Sequence, residues 1–285
     1  MFELGCSTLS FARMSLQEAL EETKSQGFNV IDLGALRPFK VGENPFKALH
    51  FDPLVASKNE KVNLKKALKE LKLKVASLNV GAGYLNIPWE RSIQIKYTKC
   101  AMEFAAEIGA YAVTIQSGKL LRGTDWDKNV EYVIPAFREL AEFGETLGVE
   151  LTIEGPHIEM LTSSISETLK FIKITDHPNF GTTYDPSHVA YFEKDAVESV
   201  YELKDVIKHI HLRDGMRDNP VLPPGEGDIN WKEFFKALKD IGYNRPVILE
   251  LCQGEDMEYE NSCALFKKQV KESSTFLKKI LKELS

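Results

Sequence analysis

The 285-residue chain is expected to fold as one α/β domain, a single (β/α)8 (TIM) barrel spanning residues 1–285. Three observations predict this. Short apolar runs alternate with longer amphipathic stretches from end to end, the pattern of a parallel sheet built from strand–helix units. The alternation completes eight rounds, the number that closes a barrel. Glycine follows several helices just before the next strand, where a left-handed cap is needed.

Taken in order, the first strand is read at 2–8 (FELGCST), and the first helix runs over 15–26 up to Gly27. A second strand at 29–35 (NVIDLGA) is followed by 36–60, a stretch rich in proline, glycine and aromatic residues and expected to be a lid or loop insertion. The second helix covers 62–71, the third strand 74–80 (KVASLNV) and the third helix 91–108, ending at Gly109. Strand 111–117 (YAVTIQS) leads to helix 128–147 and Gly148, then strand 149–155 (VELTIEG) and helix 166–174. Strand 179–185 (NFGTTYD) and helix 196–204 come next, then strand 207–213 (IKHIHLR). The polar segment 214–230 is too long for a minimal turn, and with 36–60 it is expected to wall the substrate site. Helix 231–241 ends at Gly242, and strand 246–252 (PVILELC) and a last helix over 261–281 complete the series.

Composition narrows the function. A formal charge of -6 lacks the basic surplus of a dedicated nucleic-acid binder. Cys6, Cys100, Cys252 and Cys263 are widely spaced, form no CxxC pair and are read as reduced thiols. No run reaches the ~18 uncharged apolar residues of a membrane span, and the N-terminus has no signal-peptide pattern. A cytoplasmic protein with a small-molecule substrate, and with no nucleic-acid or membrane partner, is expected; a homo-oligomer is compatible with the same composition.

The chemistry concentrates near the C-terminal ends of the last four strands: Glu154 in TIEG, Asp185 in TYDPSH, His211 in KHIHLRD and Glu250 in VILEL. A charge inside an apolar strand costs several kcal/mol unless it is paired or bound to a cation. One alone reads equally well as a salt-bridged strand end; four in succession require a shared partner. Three carboxylates and one imidazole make an oxygen-rich cage for one divalent ion per chain: Mn²⁺ first, with Co²⁺, Mg²⁺ or Zn²⁺ as alternatives. A cation there, chelated by a carbonyl and its neighbouring hydroxylate, stabilises a cis-enediolate. Two carboxylates then give epimerisation, one carboxylate serving both carbons gives isomerisation, and loss of a β-hydroxyl gives dehydration. Glu159 and His157, just past Glu154, are expected to reach substrate hydroxyls. For Trp89 and Phe46, core packing is expected over stacking on a sugar ring.

The succession Glu154, Asp185-x-x-His188, His211-x-x-Asp214 and Glu250, with PPGEGDINW at 223–231, resembles the xylose-isomerase-like superfamily of sugar isomerases and epimerases over essentially the whole chain. Within it the chain looks most like the ketose 3-epimerases and inosose-processing enzymes. The resemblance implies that Glu154 and Glu250 are both metal ligands and acid/base groups, that Asp185 and His211 are ligands only, and that His188 and Arg217 touch substrate oxygens. The expected activity is therefore that of a metal-dependent sugar isomerase or epimerase acting on a ketose, inosose or related sugar, free or phosphorylated. A dehydratase of a keto-polyol is the alternative on the same site. An apurinic-site endonuclease is disfavoured, because Asn79 and Gln116 occupy strand ends where its additional metal ligands would stand.

Overall fold

The computed structural model describes residues 2–37, 40–41, 44–45, 50–121, 123–192, 194–251 and 259–284. Its strands are β1 (Leu4–Ser7), β2 (Val30–Leu36), β3 (Lys40–Val41), β4 (Asn44–Pro45), β5 (Lys74–Gly81), β6 (Ala112–Ile115), β7 (Glu150–Glu154), β8 (Phe180–Tyr184), β9 (Ile207–Leu212), β10 (Asp214–Met216), β11 (Asn219–Leu222) and β12 (Val247–Leu249). Eight of these close a barrel in the order β1-β12-β9-β8-β7-β6-β5-β2, and every adjacent pair is parallel. The eight barrel strands stand at the eight expected places. The remaining four form two antiparallel hairpins, β3 with β4 and β10 with β11, inside the two segments expected to wall the site.

The helices are α1 (Leu16–Ser25), α2 (Lys58–Leu71), α3 (Pro88–Ile108), α4 (Trp126–Leu147), α5 (Ile165–Thr175), α6 (Ser187–Ala190), α7 (Glu198–Glu202), α8 (Trp231–Asp240) and α9 (Tyr259–Glu283). Local sequence sets their ends. Ser15 with Glu18, and Ser57 with Glu60, form reciprocal capping boxes that satisfy the first free amides of α1 and α2. Gly109 and Gly148 take φ values of 76° and 67°, closing α3 and α4 in the left-handed conformation that glycine adopts without a Cβ penalty. The helix expected over 196–204 is the single short turn α7.

Large apolar side chains fill the layer between barrel and helices, for example Phe104, Phe137 and Phe171 on one side and Phe28, Phe234 and Phe235 on the other. The barrel interior is more polar. The Thr114 hydroxyl lies 2.9 Å from those of both Thr152 and Thr183, and Ser77 lies 3.2 Å from Thr114, making a ring of hydroxyls within the barrel. No helix among the described residues is long and apolar enough to cross a membrane, and Cys6, Cys100 and Cys263 are unpaired.

One expectation is corrected. Trp89 is 79% exposed rather than packed in the core. The buried positions of α3 are Gln94, Tyr97, Thr98, Ala101, Met102, Phe104 and Ala105, a helical stripe whose phase leaves Trp89 off the buried face. Phe46 lies outside the described residues, as does much of 36–60. The flanks of that segment are tied down: Arg37 pairs with Asp52 at 3.0 Å, and Phe51 stacks on Phe104 at 4.4 Å.

Candidate metal and catalytic site

Parallel strands present their C-terminal ends at one mouth, so residues at those ends converge without any long-range segment to guide them. Glu154 is the last residue of β7, Asp185 follows β8, His211 lies in β9 and Glu250 follows β12; all four are buried. Three meet at one atom: His211 Nδ1 is 3.2 Å from Glu154 Oε1 and 3.2 Å from Glu250 Oε2. Asp185 joins through Glu154. Donor atoms of Glu154, His211 and Glu250 lie within 4.8 Å of one another, as do those of Glu154, Asp185 and His188, so the four expected ligands fall in two triads that share Glu154, the second completed by His188.

Each carboxylate has an amide or a cation on its outer side. Gln116 Nε2 donates to Glu154 Oε2 at 2.8 Å, and Asn79 Nδ2 donates to Glu250 Oε1 at 3.2 Å. The two uncharged strand-end residues thus hold the cage carboxylates. Asp185 Oδ1 accepts the Ser187 backbone N–H at 2.9 Å. Arg213 Nη2 approaches Asp185 Oδ2 to 2.6 Å without hydrogen-bonding geometry, so this buried oxygen keeps its charge balanced but has no hydrogen-bond donor. An oxygen so placed, beside two more buried carboxylates and an imidazole nitrogen, is the donor set a hard or borderline divalent cation requires.

The electrostatics follow from burial and proximity. Burial on its own would raise Glu154, but the His211 hydrogen bond and the neighbouring His157 and His188 hold it well below the usual carboxylate range. Glu250 is lowered by His211 against the same burial penalty. Asp185 goes the other way: burial dominates and raises it, with Arg213 offsetting only part. His211 is the converse, since burial opposes its charge yet Glu250, Asp32 and Glu154 together raise it well above the ordinary imidazole value. A proton on His211 thus supplies part of the positive charge that the carboxylates demand.

The other expected site residues divide. His157 Nε2 lies 3.7 Å from Glu154 Oε2, and its ring is 3.9 Å from that of His188. His188 Nε2 accepts from Arg213 Nη2 at 2.7 Å, which places its remaining proton on Nδ1, a buried atom without a hydrogen-bond partner. Glu159 is exposed at a left-handed turn (φ 64°) in the loop after β7. Arg217, with its side chain 70% exposed, stands at the tip of the β10–β11 hairpin, 3.6 Å from Asp218, rather than within the buried cluster.

Two buried residues near the cage escaped the sequence reading. Asp32 in β2 and His209 in β9 meet at 2.6 Å, and Asp32 also contacts His211 Nε2 at 3.1 Å. Burial would raise Asp32, but the two histidines bring it down to about 2. Asp214, a member of the His211-x-x-Asp214 motif to which sequence reasoning assigned no role, accepts from the backbone of Gly215, Gly225 and Ile229 and from Trp231 Nε1, clamping the loop before α8. The signal for Asp32 and His209 was available: each is a charged or ionisable residue inside an apolar strand, the criterion that found Glu154.

Comparison with known proteins agrees with this architecture. The chain matches the family described as xylose isomerase-like TIM barrel over residues 20–280. A D-psicose 3-epimerase of Ruminiclostridium cellulolyticum is 31% identical over 128 residues, which take in 44% of this chain and 41% of that protein, under half of its length. An inosose dehydratase of Mesomycoplasma hyopneumoniae is 26% identical over 223 residues, covering 68% of this chain and 73% of the relative. The D-psicose 3-epimerase of Clostridium cellulolyticum, solved with D-tagatose, superposes with a TM-score of 0.77 at 17% identity, over 98% of this chain and 99% of the other.

Proposed function

Since the chain belongs to the xylose isomerase-like TIM barrel family, we propose that it is a divalent-metal-dependent sugar isomerase or epimerase acting on a ketose, an inosose or a related keto-sugar. The observation that carries this reading is the convergence of two buried carboxylates on His211 Nδ1 at 3.2 Å each, with the donor-free Asp185 Oδ2 held beside Glu154. Glu154, Asp185, His211 and Glu250 would hold the ion, with Mn²⁺ the first candidate. A bound divalent cation supplies Lewis acidity, drawing electron density from a substrate carbonyl and acidifying the neighbouring C–H.

The chain's own groups do the rest. Glu154 and Glu250 stay ionised despite burial and are therefore competent to accept a proton from the carbon beside the carbonyl. If one removes the proton from one face and the other returns it to the opposite face, the carbon is inverted; if one carboxylate serves two adjacent carbons, the carbonyl moves. His188 Nδ1–H, fixed by Arg213 on the opposite ring nitrogen, is a ready donor to a substrate oxygen. His157 stacks on it and faces Glu154, and Glu159 and Arg217 would act from the rim. Dehydration of a keto-polyol is the second reading, favoured by the inosose dehydratase relative, whose alignment spans more of this chain than that of the psicose epimerase.

A panel of ketoses, inososes and sugar phosphates, incubated with Mn²⁺-loaded protein in D₂O and followed by NMR, tests the proposal. Deuterium entering one carbon next to a carbonyl is the expected result and separates epimerisation, isomerisation and dehydration by product. No exchange into any member of the panel would overturn it.

A further inference from the structure

Below the cage a network of hydrogen bonds runs across the barrel from His211, and none of its other members has a part in the proposed function. His211 Nε2 lies 3.1 Å from Asp32 Oδ2, and the same oxygen lies 2.6 Å from His209 Nε2. His209 Nδ1 lies 2.6 Å from the Tyr111 hydroxyl. Asp32 Oδ1 accepts the backbone N–H of Ser77 at 3.1 Å. His209 and His211 are two residues apart on β9, so their rings point to the same, inner face of the sheet. Tyr111 in turn is braced by the Arg245 guanidinium, 4.6 Å from its ring centre.

The donors and acceptors fit a self-consistent arrangement. Asp32 as a carboxylate only accepts, so both histidines donate to it from Nε2. His209, with its proton on Nε2, then accepts from the Tyr111 O–H at Nδ1. His211 keeps its proton on Nε2 when a cation displaces the one on Nδ1, and then presents the Nδ1 lone pair between Glu154 and Glu250. Both oxygens of Asp32, both ring nitrogens of His209 and Nε2 of His211 are thus partnered, which is the condition for a buried network to specify one geometry.

We infer that Asp32, His209 and Tyr111 are positioning residues that fix the ring and tautomer of His211 with Nδ1 turned into the cage, and thereby set its affinity for a divalent cation. The inference rests on the reading of His211 as a metal ligand. Outer groups that orient a ligating imidazole are typically worth about 10–100-fold in metal affinity.

Titration of the purified chain with Mn²⁺ alone by calorimetry, with thermal melts alongside to establish folding, tests this. Wild type should bind, D32N should bind about 10–100-fold more weakly, and H209M should lose at least about 10-fold. H209Q should stay near wild type, because its amide nitrogen stands where Nε2 stood and still donates to Asp32. Y111F should fall a few-fold, since the His209 tautomer is then no longer fixed. A folded D32N or H209M with wild-type affinity would overturn the inference, and so would H209Q binding as weakly as H209M, which would mean that shape and not donation matters. If D32N does not fold, the His209 pair decides. Absence of Mn²⁺ binding in wild type would instead overturn the ligand reading itself, and H211A binding as tightly as wild type would do the same.

Discussion

Replacing Glu154 by glutamine separates metal holding from proton transfer. In the wild type one carboxylate oxygen faces His211 Nδ1 at 3.2 Å and the other accepts from Gln116 Nε2 at 2.8 Å. An amide in the same place must turn its oxygen either to Gln116 or to the cage. Gln116 Oε1 is buried without a hydrogen-bond partner, so rotation of the Gln116 amide lets it accept from the new NH₂ and leaves the carbonyl oxygen facing the cage. Glu154→Gln should therefore bind Mn²⁺ more weakly yet saturably. A neutral amide accepts no proton at working pH, and removing a general base costs about 10²–10⁴ in rate, roughly 3–5 kcal/mol of barrier. The assay is solvent-deuterium exchange into both epimers of the substrate at saturating Mn²⁺, with Glu250→Gln in parallel. Each variant should suppress exchange from one epimer more than from the other, as two carboxylates on opposite faces require. Equal suppression from both epimers in both variants would point to a single base, and exchange within about 10-fold of wild type would refute the assignment of Glu154 as a base.

Three further outcomes follow from the geometry at the two ends of the barrel. Asp214→Asn puts an NH₂ against at least two of the four donors that the carboxylate now satisfies, and unmatched buried donors cost about 1–3 kcal/mol each, so urea unfolding should show a loss on the order of 3 kcal/mol. Gly227→Ala, whose added Cβ would collide with Asp214 Oδ1 and Gly215 O, should destabilise in the same assay, and a neutral result in both would discredit the clamp. At the opposite end of the barrel, burial alone would raise Glu150, but hydrogen bonds from Arg245 and Lys208 hold its carboxyl below the ordinary value. A depressed folded value means stability that is present above the unfolded carboxyl pKa of about 4.3 and lost as pH falls through the lower folded one. The gap between the urea midpoints of wild type and Glu150→Gln should thus be widest near about pH 6 and narrow as pH falls below the unfolded carboxyl value; a gap independent of pH would contradict the pairing.

Much of the barrel is legible in the chain because its strands are buried on both faces and read as short apolar runs, such as VASLNV and VILEL, broken by polar helices. Glu154, Asp185, His211 and Glu250 stand out for the same reason: each interrupts a run in which a charge is costly. Asp32 in VIDLGA and His209 in HIH obey that rule too, but they sit one layer below the mouth, and a search confined to strand ends passes over them. Asp214 is recognisable as a motif member, whereas its work as a clamp depends on Gly225, Ile229 and Trp231 folding back onto it, which spacing alone does not express. Trp89 is misread because its residue type suggests burial, while the phase of α3, fixed by Tyr97, Ala101 and Phe104, turns it outward.

The central claim is a single divalent ion held between Glu154, Asp185, His211 and Glu250. Metal analysis of the purified protein after Mn²⁺ loading and exhaustive dialysis, with Asp185→Ala and His211→Ala in parallel, tests it most directly. The account predicts one ion per wild-type chain and its loss in both variants. Two or three tightly held ions, none at all, or full retention in either variant would contradict it.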